Sequence, residues 1–96
     1  MLDRLRREDF EPLIGERIKV TSGDASAELE VAEASSLKSP SPRETPPFRL
    51  ILRSRENWRA PQGMFRVDHP TLGTLEMFAV PIGPDAQGLC YEILFN

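Results

Sequence analysis

The sequence has very little of the chemistry that metal centres and disulfide frameworks require. Its 96 residues include one cysteine, Cys90, and one histidine, His69. One cysteine excludes an intramolecular disulfide and a thiolate cluster, and one histidine leaves carboxylates to supply any other metal ligands. We therefore expect no metal and no cofactor, and a chain suited to a reducing cytoplasm.

Long apolar runs are also missing. The opening MLDRLRREDF lacks the apolar core of a signal peptide, and no window approaches the length of a membrane span. The formal net charge is -3, which argues against general nucleic-acid binding because phosphate contacts need a cationic surface. The sequence predicts a cytoplasmic protein with neither a membrane nor nucleic acid as its general partner.

What the chain does contain is the composition of one small domain. Hydrophobic residues make up 40% of it and aromatic residues 7%, which is enough for one modest core. The predicted organisation is a lead-in and short helix over residues 1–15, a hairpin over 16–34, a mobile serine- and proline-rich loop over 35–47, and a strand with a terminal meander over 48–96.

Alternation of apolar and polar residues predicts the strands. In the first hairpin, Ile18 and Val20 alternate with charged residues, and Leu29 and Val31 do the same after a Ser-Gly-Asp turn. In the strand after the loop, the predicted inward residues are Phe48, Leu50 and Leu52, and the predicted outward residues are Arg49, Ile51 and Arg53.

The terminal meander follows the same pattern. Placing Val67 opposite Leu75 also sets Phe65 opposite Met77, so the register of this hairpin is self-consistent. For the last hairpin we expect a turn over residues 83–88. Its predicted register pairs Ile82 with Leu89, Val80 with Tyr91, and Phe78 with Ile93.

These elements predict a mainly β fold. We expect one domain of about five or six antiparallel strands, either a small barrel or a two-layer sandwich, with one short N-terminal helix. Pairing of the first strand with the last would establish the barrel.

The predicted register gathers a large apolar face. It would contain Phe78, Val80, Tyr91, Ile93 and Phe95. A face of that size calls for a cover, since exposed apolar patches of this kind mark interfaces. We expect the N-terminal helix to provide the cover, and another chain is the alternative, so the same five residues are a candidate protein interface.

Two stretches carry a family resemblance. The opening DFEPLIGE, together with the closing segment from PQG through HPTLG and VPIGPDAQG to the terminal strand, resembles an uncharacterised family of small bacterial proteins described as a domain of unknown function. The resemblance runs from about Asp9 to Asn96, and the combination of these turns is specific to it. It implies no assigned activity, cofactor or catalytic residue, and it favours an assembly or accessory role linked to phage-tail-like proteins.

His69 is the first residue with catalytic potential. It lies at a predicted hairpin tip, where Asp68 or Glu76 could orient it as a general base. However, Pro70 and Gly73 already explain the segment as a turn, and no nucleophile lies in a recognisable elbow. A structural role is therefore favoured.

Cys90 is the second such residue. The predicted register places its side chain on the face of Met77 and Leu94, which favours a small buried apolar residue over a reactive nucleophile. We predict no catalytic residue.

Arg49 and Arg53 are candidates for anion binding. With Trp58 nearby, they could contact an anionic ligand or stack on the bases of a single strand. The favoured alternative is that both arginines pair across strands with Glu28 and Glu30, and that Trp58 is a core or lid residue.

Two classes of function follow from these observations. The first is a non-catalytic interaction or accessory module that acts through a protein partner or its own copy. The second is a small-ligand-binding barrel, or an enzyme, with its site in the barrel mouth.

Overall fold

Six antiparallel strands form a closed barrel in the computed structural model, which describes residues 5–37, 46–55 and 58–95. The mainly β fold predicted from the sequence is confirmed, and the barrel is the correct alternative. The strands are β1 (Arg17–Ser22), β2 (Ala25–Ser36), β3 (Phe48–Ser54), β4 (Gly63–His69), β5 (Gly73–Asp85) and β6 (Gly88–Phe95).

The barrel consists of two three-stranded meanders joined along both edges. Its strand order is β1-β2-β3-β6-β5-β4. The first and last strands do not pair, so the barrel closes without the contact that was named as its test: β1 pairs with β4, where Val20 lies opposite Val67, and β6 pairs with β3. Each meander covers the two free edges of the other, so no strand edge is left unpaired in the closed sheet.

The connection between β3 and β4 closes one end of this barrel. These strands lie three positions apart in the six-stranded order, and Trp58 and Ala60, which lie between them in the sequence, pack against the core. The hydroxyl of Tyr91 accepts the Ala60 N–H at 2.7 Å and donates to the Ala60 carbonyl at 3.2 Å. Trp58 packs edge-on against Phe65 and Tyr91, with ring centroids 5.9 Å away in both cases.

The N-terminal segment closes the opposite end. The predicted short helix is present as two consecutive 3-10 turns, Arg7–Asp9 and Glu11–Leu13, the second with Pro12 in its first turn, where proline is tolerated. Phe10 lies between the turns and is fully buried. Its ring centroid is 6.0 Å from that of Phe48 and 6.2 Å from that of Phe95.

Side chains from every strand fill the interior. The predicted inward residues of β3 are buried, which confirms their assignment. Ile51 faces outward as predicted, yet it is only 5% exposed and lies outside the core cluster. The largest buried strand side chains are Tyr91, Phe48, Phe65, Leu29, Leu50, Leu52, Met77, Ile93, Val20, Val31 and Val67.

Of the two registers predicted for the terminal meander, that of β4 with β5 is confirmed and that of β5 with β6 is not. Val67 lies opposite Leu75 and Phe65 opposite Met77, as predicted. The predicted β5–β6 register is wrong, because Val80 lies opposite Glu92 and Pro81 opposite Tyr91, and an irregularity follows at Ile82. A shift of one residue exchanges the two faces of a strand.

Two predicted element boundaries also differ from those in the structure. The loop expected over residues 35–47 begins later, because Ser35 and Ser36 continue β2 and pair with β3; residues 38–45 lie outside the described residues. The turn expected over residues 83–88 narrows to two residues, since β5 continues to Asp85, which lies opposite Gly88.

Candidate functional site

Ion pairs cover the outer surface of β3. The guanidinium of Arg49 donates to Glu33 at 3.1 Å and to Glu92 at 3.2 Å. The Ser35 hydroxyl, and then Arg49, lower the pKa of Glu33 below its ordinary value although desolvation opposes them. Arg49 is therefore held between carboxylates on both neighbouring strands, with Ile51 beside it on the same face of β3.

Arg53, four residues further along β3, is bound in the same manner. It donates to Glu30 at 3.1 Å and to Asp85 at 2.9 Å, and these contacts, Asp85 first, raise the arginine pKa. The predicted pairing of Arg53 with Glu30 is confirmed, whereas Glu28 lies opposite Lys19. Each arginine faces two carboxylates, so an anionic ligand would meet excess negative charge at both positions.

Asp85 also shapes the β5–β6 turn. Its carboxylate accepts the backbone N–H groups of Gln87 at 2.8 Å and Gly88 at 3.0 Å. The bond from the Gln87 N–H, followed by the contact with Arg53, lowers the pKa of Asp85. The Cys90 sulfur lies 3.6 Å from the same carboxylate, and burial, followed by the charge of Asp85, raises the pKa of the thiol. Cys90 is thus a buried thiol poorly suited to attack.

Neutralising Asp85 should destabilise the protein in a pH-dependent manner. Because the folded-state pKa lies below the ordinary value of 3.8, the stabilisation is present above that value and is lost as the pH falls through the folded-state pKa. We expect Asp85→Asn to lower the melting temperature at pH 7 and the difference from wild type to shrink toward pH 2.

Melting curves followed by circular dichroism across this pH range would measure the effect. Asp24→Asn, which changes an exposed carboxylate in the β1–β2 turn, is the matched control. A difference between wild type and Asp85→Asn that stays constant with pH would contradict the role assigned to this carboxylate.

His69 is held by backbone groups on both sides of its ring. Its Nε2 donates to the Asp9 carbonyl at 2.6 Å, while Nδ1 accepts the N–H groups of Thr71 and Leu72, both at 3.1 Å. The two amides can only donate, so Nδ1 carries no proton. Asp68 does not orient the ring, since its carboxylate accepts the Thr74 hydroxyl. His69 thus joins the N-terminal segment to the β4–β5 turn.

A shallow cleft lies beside this histidine at the barrel mouth. Its volume is about 220 Å³, below the roughly 300–1,000 Å³ of typical small-molecule sites. It is lined by Glu8, Asp9, Pro12, Leu13, His69, Pro70 and Thr71.

The predicted five-residue apolar face does not exist as one surface. Tyr91, Ile93 and Phe95 point into the barrel and are buried, whereas Phe78 is 51% exposed on the outer side. The N-terminal segment accordingly covers the barrel end and not this face. The cause is the changed β5–β6 register, which leaves Val80 outward and half-buried.

A different apolar surface takes its place, and we call it the outer strip. It crosses the outward side of β4, β5 and β6. Met64 and Phe78 form a cross-strand pair, Val80 follows on the same side of β5, and Leu94 extends the surface on β6. Met64, Phe78, Ile82 and Leu94 are each about half exposed, between 48% and 55%. The outer strip consists of Met64, Phe78, Val80 and Leu94, and Ile82 lies in the irregular step of β5 that follows.

Residues 5–37, 46–55 and 58–95 contain neither a metal-ligand cluster nor a membrane-spanning helix. There, no cluster of three or more histidine, cysteine, aspartate or glutamate side chains is arranged to hold a metal ion. Within those ranges, none of the helical segments has the length and apolar character needed to cross a bilayer.

Comparison with known proteins identifies the family. The model of the family described as Domain of unknown function (DUF6916) matches residues 5–95. The chain belongs to the DUF6916 family. The match covers all six strands and the N-terminal segment, in agreement with the resemblance found in the sequence. No curated protein and no solved structure matches the chain.

Sequence reasoning missed the outer strip in this DUF6916 domain. Phe78 and Val80 were predicted to share a face with three residues that are in fact buried. One signal could have indicated the true register. Pro81 and Pro84 lack a backbone N–H, so ladder bonds across this hairpin must be irregular, and a bulge of the kind found near Ile82 is a common solution.

Proposed function

We propose that this protein is a non-catalytic interaction module that binds a protein partner through the outer strip. The observation that carries the proposal is a row of apolar side chains across three neighbouring strands, in which Met64, Phe78 and Leu94 are each about half exposed. Contiguous exposed apolar patches in soluble domains mark interaction sites more often than isolated apolar residues do.

The residues with catalytic potential support this assignment because their polar atoms are already engaged. Both nitrogens of His69 bind backbone groups, and Cys90 is a buried free thiol. Arg49 and Arg53 are held by carboxylates on neighbouring strands. These arginine contacts and the net charge of -3 also support our proposal that nucleic acid is not a general partner.

The family resemblance gives the module its proposed setting. We propose an assembly or accessory role in a bacterium, with a component of a phage-tail-like structure as a partner class. A free thiol suits a reducing compartment, so we propose the cytoplasm as its location.

A small-ligand site is the second candidate, and the cleft beside His69 is the observation that favours it. Its volume is about 220 Å³ and its lining includes the carboxylate-bearing residues Glu8 and Asp9. We rank it lower because it is small for a metabolite and because the ring of His69 already has its hydrogen-bond partners.

Site-directed photo-crosslinking in the producing cell tests the proposed function. A benzoyl-phenylalanine placed at position 78 should give a discrete adduct, whereas the same probe at position 28, on the exposed surface of β2, should not. Excess wild-type protein should compete with adduct formation, and a Phe78→Asp protein should not. Equal labelling at the two positions, or no adduct at position 78, would contradict the proposal.

A further inference from the structure

Two neighbouring cross-strand pairs lie on the outward face of the β4–β5 hairpin, and we call them the apolar rung and the charged rung. Met64 lies opposite Phe78, and the next outward pair is Arg66 opposite Glu76. Both charged side chains are about two-thirds exposed, at 67% and 66%, and their closest N–O distance is 3.7 Å. Such a distance is too long for a strong hydrogen bond, so both groups keep capacity for another partner.

This arrangement is complementary to itself. A twofold axis that runs along the hairpin, between two facing copies, places β4 of one copy over β5 of the other. Met64 then meets Phe78 of the second copy, and at the next rung Arg66 meets Glu76 of the second copy. One symmetry operation satisfies both rungs, because an isologous interface repeats each contact twice.

We infer that the outer strip binds a second copy of this chain and that the protein forms a twofold dimer through the face of its β4–β5 hairpin. This inference rests on the proposed function, since it names the partner of the same surface. The apolar rung supplies the area removed from water, and the charged rung fixes the orientation, as rim charges do at protein interfaces.

The charges of this face favour a second copy over other occupants. The outward face of this hairpin carries both signs of charge, with Arg66 beside Glu76, so a nucleic acid or an anionic lipid surface, whose charge is uniformly negative, would be repelled by Glu76. A second copy brings the opposite charge to both Arg66 and Glu76. It also removes the half-exposed Met64 and Phe78 from water together.

Charge reversal tests the inferred dimer. Sedimentation equilibrium of the full chain should show concentration-dependent dimerisation. Arg66→Glu places like charges against each other at both symmetry-related contacts, and we expect the dissociation constant to rise at least about tenfold. The double variant Arg66→Glu with Glu76→Arg restores opposite charges at each contact, so its dissociation constant should return to near the wild-type value.

A second exchange provides the control. Lys19 lies opposite Glu28 on the exposed surface of β1 and β2. The variant Lys19→Glu with Glu28→Lys makes the same chemical change outside the outer strip and should leave dimerisation unchanged. Circular dichroism checks that each variant is folded, which we expect because all four side chains are exposed.

Three results would overturn the dimer. These are a wild-type chain that stays monomeric at every concentration, an Arg66→Glu protein that dimerises like wild type, and a double variant that fails to recover. If the chain is monomeric while the probe at position 78 captures a different protein, the dimer is wrong and the proposed function stands. If neither association occurs, both are wrong.

Discussion

Phe10→Ala is expected to lower the free energy of unfolding by about 3–5 kcal/mol, the usual cost of truncating a buried phenylalanine. The ring is fully buried at the barrel end, where its centroid lies 5.2 Å from that of His69 in an edge-on contact. The Phe48 and Phe95 rings beneath it stack on each other, 4.3 Å apart. Truncation would leave a cavity bordered by all three rings.

The loss is large for a domain of this size. Small domains have roughly 5–15 kcal/mol of stability in total, so Phe10→Ala should unfold at a much lower denaturant concentration and melt at least about 12 °C below wild type. The His69 bond to the Asp9 carbonyl should weaken as well, since Phe10 anchors the segment that carries this carbonyl.

Phe78→Ala is the matched control. It removes the same atoms from a side chain that is 51% exposed, and at low protein concentration it should cost about 1 kcal/mol or less. Urea denaturation followed by circular dichroism measures both variants. Equal losses for the two substitutions would mean that the N-terminal segment does not close the barrel.

Gly88→Ala is expected to destabilise the protein at the upper end of the roughly 1–3 kcal/mol typical of overpacking. A β-carbon at this position would lie 1.9 Å from the backbone oxygen of Ser54. A backbone carbonyl cannot rotate away as a side chain can. The end of the β3–β6 ladder, where Ser54 lies opposite Leu89, would have to move.

Gly63→Ala separates the steric contact with Ser54 from the backbone cost of replacing a glycine at this φ. Gly63 has the same φ of 156° as Gly88, but a β-carbon there would meet nothing within 4 Å. Any cost that alanine carries through its backbone preference is therefore shared, and the difference between the variants reports the contact with Ser54. Thermal melts of the two proteins provide the comparison, and equal melting temperatures would contradict the close approach of β3 and β6.

Contacts that lie close along the chain were the most predictable. The alternation in β4 and β5 places Val67 opposite Leu75 across a short turn, and the structure has this pair. A short connection leaves few registers, and burial of one face selects among them. The inward side of β3 was equally readable because Phe48, Leu50 and Leu52 repeat with the period of a strand.

The candidate site was less predictable because a local irregularity decides it. Pro81 lies opposite Tyr91, and Pro84 lies opposite Leu89, with Ile82 in the irregular step between them. Apolar residues occupy both sides of β5, so alternation does not distinguish one register from the next. The register that forms turns Tyr91 into the core and leaves Phe78 on the surface.

The sequence by itself determined a β domain with one core, a short N-terminal helical segment and membership of the DUF6916 family. Only the tertiary structure decided which strands close the barrel, what fills its two ends and which apolar side chains face outward. The physical reason is the separation along the sequence between the residues that interact. Periodicity and turn residues act over a few positions, whereas the bond of His69 to Asp9 joins residues 60 apart. The β1–β4 closure likewise depends on two whole meanders matching along both edges.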